Sequence, residues 1–327
     1  MQQLSVDTSA LSEMQIRDFF ENNIPTTQKL CDDRAKEMTG KTVSPTTCQG
    51  GSSYTVAAGE TIVQFRRPDS FLDMDLMSSI EQAYQGFVPR HRDRGLFHNL
   101  RVYTMNNVGG QSMYLVRDLL YKDDYKLLRN TIDSYAKFFA SAYHSTPLTL
   151  QGPDRGELFQ TYLSRLQQLR EGLPERFHAI LDQLIPQLPD ILDQAWPLVP
   201  NHTDLLENNI HVDPMTGTIV GICDWRDAEF SPFGMSLGGL ETMLGVRTLN
   251  DNGWSYFPMQ RELREQFWTS FYHHLGSTSE AQRQCIETAR LTGLFLANGF
   301  VQDECGNVTP ATEDSLDLRY LGAVVLA

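Results

Sequence analysis

The polar residues between Asn201 and Trp225 have the types and the spacing that phosphoryl transfer uses. Asp204 is followed five positions later by Asn209, and fifteen positions after that by Asp224. Phosphoryl transfer requires an acceptor hydroxyl held in line with the γ-phosphate, and metal ions that absorb the charge on the phosphate oxygens. A carboxylate can orient the hydroxyl, while a second carboxylate and an amide oxygen can bind Mg²⁺. The segment is therefore a candidate catalytic loop followed by a metal ligand.

The stretch that joins Asn209 to Asp224 predicts a β-hairpin. Residues 210–212 and 218–222 are rich in β-branched side chains, and D-P-M-T-G at 213–217 has the chemistry of a turn. A hairpin of this length brings the chain back to its starting end, so Asn209 and Asp224 are expected to face one metal site. Taken singly, each polar residue could be only a turn former; the three in order favour a functional site.

The order and spacing of His202, Asp204 and Asn209 match the protein-kinase catalytic loop, H-R-D-x-x-x-x-N. The wider pattern, H-T-D-L-L-E-N-N-I followed by G-I-C-D-W, resembles the aminoglycoside phosphotransferase and choline kinase superfamily, whose loop usually reads H-G-D-x-x-x-x-N. P-F-G at 232–234 and A-R-L-T-G-L-F-L-A-N-G-F at 289–300 are similar to its fungal branch. The resemblance begins near residue 50 and runs to the C-terminus, with Thr203 in place of the usual Gly.

This resemblance implies an α+β fold of two lobes, similar to that of protein kinases. A small antiparallel β-sheet is expected in an N-lobe of residues 1–106, and a mostly helical C-lobe in residues 107–327. The implied cofactors are ATP and Mg²⁺. Asp204 is the expected catalytic residue, braced through hydrogen bonds by His202, and Asn209 and Asp224 are the expected metal ligands.

A glycine- and serine-rich stretch precedes the first long strand pattern. Gly50, Gly51, Ser52 and Ser53 could let backbone N–H groups approach the phosphates of a nucleotide. A plain hairpin tip would carry the same residues. The position of the stretch, upstream of a kinase-like loop, makes it a candidate nucleotide loop.

The next strand lacks the lysine that kinases use to hold the α- and β-phosphates. No Lys occurs between Tyr54 and Pro68, and the family register places Gln64 at that point, with Arg66 two positions along on the same face. Gln64 offers a hydrogen bond and Arg66 offers charge, so both are candidate nucleotide ligands. Exposure of Gln64, Arg66 and Arg67 to solvent is the alternative.

The resemblance also places a hinge between the lobes at the end of the strand pattern that starts at residue 101. By that resemblance Met105 and Asn107 would line the pocket for the adenine base. Apolar periodicity predicts two helices within residues 11–38, a helix over 72–84, and helical segments over 119–144, 156–196, 237–245, 259–274 and 279–297.

Composition narrows the class of partner. The net charge of −14 is unsuited to a nucleic acid, which requires clustered Lys and Arg. No apolar run approaches the ~20 residues of a membrane span. Five cysteines without a C-x-x-C pair, and no secretory signal within residues 1–12, predict a cytoplasmic protein with reduced thiols. An acidic rim would favour a hydroxylated small molecule that is cationic. A role of the acidity in solubility alone is the alternative.

Two further acids are candidate substrate ligands, Glu207 within the loop and Asp227 just after Asp224. Solvent exposure of Glu207 and a helix-start role for Asp227 are the alternatives. The function implied by the resemblance is ATP- and Mg-dependent phosphotransfer to a hydroxyl of a small molecule. A nucleotide-binding pseudokinase or scaffold is the alternative, because of the missing lysine. A protein kinase is disfavoured, because no A-P-E element follows Asp224.

Overall fold

The computed structural model describes residues 8–145, 152–248, 253–303 and 305–326. The first seven residues, on which the expectation of no secretory signal partly rests, lie outside these ranges. The N-terminal part contains two helices, a five-stranded sheet and a third helix. In chain order these are α1 (Thr8–Glu21), α2 (Gln28–Thr39), β1 (Ser44–Pro45), β2 (Ser53–Ala58), β3 (Thr61–Arg66), α3 (Met74–Ala83), β4 (His91–Phe97) and β5 (Leu100–Asn106).

The sheet has the strand order β1-β2-β3-β5-β4, and every neighbouring pair is antiparallel. Because side chains alternate between the faces of a strand, Val63 and Phe65 of β3 point to one face and Gln64 and Arg66 to the other. Helices α1 and α2 cover the first face. The buried cluster between them and the sheet consists of Phe19, Cys31, Ala35, Tyr54, Val56, Val63, Phe65, Leu100 and Val102.

The C-terminal part is mostly helical, with short strand pairs. Its elements are β6 (Gln111–Ser112), α4 (Met113–Leu120), α5 (Lys122–His144), α6 (Arg155–Gly172), α7 (His178–Leu184), α8 (Leu188–Ile191), β7 (Leu198–Asn201), β8 (Ile210–Val212), β9 (Ile219–Ile222), β10 (Glu229–Pro232), β11 (Gly245–Arg247), β12 (Trp254–Tyr256), α9 (Gln260–Leu275), α10 (Glu280–Asn298), β13 (Phe300–Gln302), β14 (Val308–Pro310) and α11 (Leu316–Val325). Strand β8 pairs with β6 and β9, and β7 pairs with β10.

The segment predicted as a helix over 237–245 is a 3-10 helix at Met235–Met243. Two adjacent glycines, Gly238 and Gly239, disfavour an α-helix there. They also permit close packing, since a Cβ at Gly238 would lie 2.6 Å from the Leu294 side chain. The two N-terminal helices and the helix around residues 74–83 agree with the sequence prediction.

Tyr84, just after α3, fastens the sheet-bearing part to the helical part. Its hydroxyl donates to the carbonyl of Pro200 at 2.6 Å. Its ring stacks on Phe138, with centroids 4.5 Å apart, and lies 4.9 Å from the Trp225 ring. The N–H of Ile222 donates to the Phe87 carbonyl at 2.7 Å. These contacts fix α3 against the strands that flank the 202–209 loop. We propose that the boundary between the two lobes lies at residue 106, the end of β5.

No helix among the described residues has the length and apolar character to cross a membrane.

Candidate active site

The loop from His202 to Asn209 leaves β7 and leads into β8. Asn201, the last residue of β7, anchors its start and is 5 % exposed. The Asn201 amide donates to the Ser231 hydroxyl at 2.9 Å, and its carbonyl oxygen accepts from the Ser236 hydroxyl at 2.8 Å. The sequence does not predict a role for Asn201, and its one signal is a polar side chain at the end of the run L-V-P-N.

His202 joins the loop to the strand that carries Asp224. Its Nδ1 accepts a hydrogen bond from the Asp204 N–H at 3.0 Å, so Nε2 carries the proton and donates to the Cys223 carbonyl at 2.9 Å. Burial lowers the pKa of His202 below its usual value, so the imidazole is neutral near pH 7. Its ring packs edge-on against Trp225 at 4.6 Å. This geometry supports the bracing role predicted from the sequence.

Asn209 connects directly to Asp204. Its Nδ2 donates to the Asp204 carbonyl at 2.8 Å and to the Asp204 carboxylate at 3.2 Å. Asn209 is 6 % exposed, whereas Asp204 is exposed. The amide therefore holds a carboxylate that a small molecule can reach.

Asp224 lies beside this pair because of the hairpin. Ile210 of β8 is in register with Ile222 of β9, and the Cys223 N–H donates to the Asn209 carbonyl at 2.9 Å. Asp224 follows with a φ of +61°, in the left-handed region that L-residues rarely adopt. The next residue holds the bend, since the buried Trp225 indole donates to the Ile222 carbonyl at 2.9 Å. A strained, exposed carboxylate of this kind is typical of functional sites.

The residues around Asp224 fit a magnesium ion bound together with nucleotide phosphates. The side-chain oxygen Oδ1 of Asn209 accepts one hydrogen bond, from the Asn208 side-chain amide at 3.0 Å, and has a second lone pair for a cation. The Asp224 carboxylate is exposed. In the described ranges no group of three or more His, Cys, Asp or Glu could hold a metal. Mg²⁺ needs only one or two carboxylates when substrate phosphates complete its shell.

Arg66 faces this centre from the sheet. It is 3 % exposed, and its Nε donates to the Ser70 carbonyl at 2.6 Å while its Nη1 donates to the Gln64 carbonyl oxygen at 2.9 Å. Burial lowers its pKa below the usual value, and Asp224 is the foremost of the charges that oppose this effect. Gln64 also donates to the Thr55 hydroxyl at 3.2 Å. The negative charge of Asp224 therefore acts on Arg66, whose guanidinium is held in place by Ser70 and Gln64.

The candidate nucleotide loop lies between β1 and β2. Gly50 and Ser53 form an isolated bridge within it, and a side chain at Gly51 would meet nothing within 4 Å. Packing therefore does not demand glycine at position 51, and open space surrounds it. The carbonyl of Ser52, the third residue of the candidate loop, accepts from the Ser70 hydroxyl at 3.1 Å.

The predicted hinge residues lie at the end of β5. Met105 and Asn107 border a cavity of about 810 Å³ that also reaches Val220 of β9. Asn107 is fixed to the β2–β3 turn, because its N–H donates to the Glu60 carbonyl at 2.8 Å and its amide to the Gly59 carbonyl at 2.9 Å.

Of the two predicted substrate ligands, Glu207 is engaged elsewhere. Its carboxylate accepts from the Tyr121 hydroxyl at 3.1 Å and lies 3.8 Å from Arg117, and burial raises its pKa. Asp227 is exposed and lies 3.6 Å from the Arg226 guanidinium. Its carbonyl accepts from the Thr203 hydroxyl at 3.0 Å, so this segment supports the loop beside Asp204.

A cavity of about 470 Å³ borders Asp204. Its volume lies in the range of small-molecule sites. His202, Thr203 and Asp204 line part of it. The rest is lined by residues of α6, β10, the 3-10 helix, β11, β12, α10 and α11.

Several solved structures are similar to this chain. A choline/ethanolamine kinase family protein from Mesorhizobium loti has 15% identity and a TM-score of 0.52, covering 82% of this chain and 83% of its own. A protein named as a candidate aminoglycoside phosphotransferase from Ralstonia eutropha has 10% identity and a TM-score of 0.54, covering 82% and 88%. An aminoglycoside phosphotransferase from Streptomyces rimosus, solved with ADP and streptomycin, has 18% identity, covers 80% and 95%, and has a TM-score of 0.47. The first two likenesses show the fold, and the two-lobed, kinase-like α+β fold predicted from the sequence is confirmed.

A search of curated proteins found no match. A family model described as the phosphotransferase enzyme family matches residues 55–266. The matched range includes β3 with Arg66, the 202–209 loop and Asp224. Because it covers 212 of the 327 residues, the chain belongs to the phosphotransferase enzyme family.

Proposed function

We propose that this protein transfers the γ-phosphoryl group of Mg-bound ATP to a hydroxyl group of a small molecule. The observation that carries the proposal is the joining of three residues. Asn209 bonds the Asp204 carboxylate through its side chain and accepts the Cys223 N–H through its backbone, next to Asp224. A structural turn would require neither the exposed Asp204 carboxylate nor the strained Asp224.

Asp204 would orient the acceptor and receive its proton. The acceptor oxygen forms a bond to the γ-phosphorus, the bond from that phosphorus to the β-bridging oxygen breaks, and ADP leaves with the electron pair. The proton of the hydroxyl passes to the Asp204 carboxylate, which is exposed and borders the 470 Å³ cavity. Asn209 keeps that carboxylate in position through the 3.2 Å hydrogen bond.

Asn209 and Asp224 would hold the magnesium ion, through one amide oxygen and one carboxylate. When bound, the ion neutralises charge on the phosphate oxygens. His202 remains neutral because burial lowers its pKa. Its hydrogen bonds to the Asp204 N–H and the Cys223 carbonyl would keep the loop and the metal ligand in register.

Arg66 would take the place of the missing strand lysine. Its guanidinium is buried, held by Gln64 and Ser70, and close to Asp224. A guanidinium pairs well with phosphate oxygens. The loop at residues 50–53 would cover the phosphates, and Met105 and Asn107 would border the base.

All five cysteines are free thiols. This fits our proposal that the protein works in a reducing compartment such as the cytoplasm.

The test is an acceptor screen with purified protein, Mg²⁺ and ATP, reading the mass gain of one phosphate. Asp204→Asn is expected to lower turnover by about 10²- to 10⁴-fold, because a positioned general base contributes about that much. Nucleotide binding, measured as a thermal shift with Mg·ATP, is expected to stay near the wild-type value. Asp118→Asn removes an exposed acid of α4 outside the loop and serves as the matched control.

Full activity of the Asp204→Asn variant would remove Asp204 from the mechanism. Absence of both a Mg·ATP thermal shift and phosphorylated product in the wild type would contradict the enzyme assignment. That result would favour a scaffold.

A further inference from the structure

The cavity beside Asp204 has an aromatic interior. Tyr162 of α6, Trp254 of β12 and Tyr320 of α11 line it, and each is less than one-tenth exposed. The rings of Trp254 and Tyr320 meet edge-on at 5.0 Å. Aliphatic side chains extend this surface, including Leu294 from α10. The deep part of the cavity therefore suits an apolar body.

One of the cavity's acids is neutralised by an arginine at the rim. Asp317 of α11 accepts a hydrogen bond from Arg247 of β11 at 3.2 Å. The same guanidinium lies over the Tyr320 ring, 5.4 Å from its centroid. Two contacts hold Arg247 in this place, so the Asp317 carboxylate is already paired.

A second acid, Glu229 of β10, also has a cation nearby. Burial raises the pKa of the Tyr162 hydroxyl to about 12, and of the two neighbouring charges Glu229 raises it further while Arg165 lowers it. Both charged groups therefore act on the Tyr162 hydroxyl, with opposite effects on its pKa. The Arg165 guanidinium is fixed over the Phe300 ring at 4.8 Å.

Among the described residues that line the cavity, the acids are Asp204, Glu229 and Asp317, and the bases are Arg165 and Arg247. Three acids and two arginines give this lining a net formal charge of −1 (2 − 3), and one of the acids, Asp317, is paired with Arg247. A polycationic ligand needs a surplus of anionic groups to repay the loss of its hydration, and this cavity has none beyond the residue that would take the proton.

We propose that the acceptor is an uncharged alcohol with an apolar body, bound by the aromatic walls, with its hydroxyl at Asp204. This inference depends on the proposed phosphotransfer. It differs from the cationic acceptor expected from the sequence, because that expectation followed from the net charge of the whole chain and not from the residues of the cavity.

The test uses pairs of acceptors that differ by one amine, such as 1-phenylethanol and 2-amino-1-phenylethanol, within a library of uncharged alcohols and amino alcohols of matched size. The readout is phosphorylated product with Mg·ATP. Uncharged members are expected to show the higher kcat/KM, by about tenfold or more, since an ammonium would lose hydration without gaining a partner. Activity confined to amine-bearing members, or the absence of any uncharged acceptor, overturns the inference.

Failure of the proposed function is distinguishable from this outcome. A protein that binds Mg·ATP and phosphorylates only amino alcohols keeps the phosphotransfer and loses the acceptor class. A protein that neither binds Mg·ATP nor forms any product loses the function itself.

An arginine variant tests the charge balance independently. Arg247→Ala leaves Asp317 unpaired and is expected to shift the kcat/KM ratio toward the amine-bearing partner by roughly tenfold, the effect of one nearby charge. Arg176→Ala is the matched control, because Arg176 also pairs with an acid, Glu313, and also covers a ring, but it lies outside the cavity lining. If Arg247→Ala leaves the ratio of kcat/KM values for the paired acceptors unchanged, the cavity charges do not set the preference for uncharged acceptors.

Discussion

Replacing Arg66 by methionine would show whether this residue supplies the charge that a strand lysine supplies in protein kinases. Methionine keeps an unbranched side chain of similar reach and removes the guanidinium. In the structure that guanidinium is buried, bonded to Ser70 at 2.6 Å and to Gln64 at 2.9 Å, and near Asp224. A phosphate beside Asp224 would therefore lie close to it.

The expected loss follows from the strength of a charged hydrogen bond. Such a bond contributes about 1.5–3 kcal/mol to the free energy of binding, so its removal should raise the Kd for Mg·ATP by roughly 10- to 150-fold. Adenosine carries no phosphate, and its affinity should be unchanged. Arg66→Lys retains the charge and should recover much of the Mg·ATP affinity.

Isothermal titration calorimetry with Mg·ATP and with adenosine separates binding from folding. Arg66→Met also leaves the Ser70 and Gln64 oxygens without their donor, which should lower the free energy of unfolding by about 1–3 kcal/mol. Urea titration measures this term separately. Arg67→Met is the matched control, because Arg67 is adjacent but exposed, and its ion pair with Asp69 at 3.1 Å is worth at most about 1 kcal/mol.

Two results would refute the reasoning. Unchanged Mg·ATP affinity in a folded Arg66→Met variant would mean that Arg66 contacts no phosphate. An equal loss for Mg·ATP and adenosine would mean that Arg66 only shapes the cleft.

Two other predictions concern stability. Burial lowers the pKa of His202 in the folded protein. Below about pH 6.5 the unfolded chain therefore binds a proton that the folded chain does not, and the free energy of unfolding decreases as the pH is lowered. His202→Gln should remove up to about 1.4 kcal/mol per pH unit of that slope in urea titrations between pH 7.5 and 5.5; equal slopes would contradict this. Because Asp224 has a φ of +61°, Asp224→Gly should be more stable than Asp224→Ala by about 1 kcal/mol, with both inactive. Equal melting temperatures would argue against strain at Asp224.

Local patterns explain what the sequence predicted well. The order of Asp204, Asn209 and Asp224, together with β-branched runs around a turn, predicted a hairpin that returns to its starting end. The structure joins these residues through the Asn209 hydrogen bonds and the Cys223 N–H. The apolar periodicity of residues 11–38 predicted α1 and α2, because a 3.6-residue period is a property of consecutive residues.

The surface against which α1 and α2 pack could not be predicted in the same way. Phe19 of α1 and Cys31 of α2 pack on the face of the sheet to which Val63 and Phe65 point. This packing depends on contacts with β2, β3 and β5, which are distant in sequence. Similarly, Gly238 and Gly239 are visible in the sequence, but the close approach of Leu294 that Gly238 permits involves a segment far along the chain.

The sequence by itself determined which groups could do chemistry, since residue type and short spacing are written in the chain. Tertiary structure alone decided which charges remain free. Glu207 is paired with Tyr121 and Arg117, and Arg66 is brought beside Asp224. Charge pairing acts through space between distant segments, so it is fixed only when the segments meet.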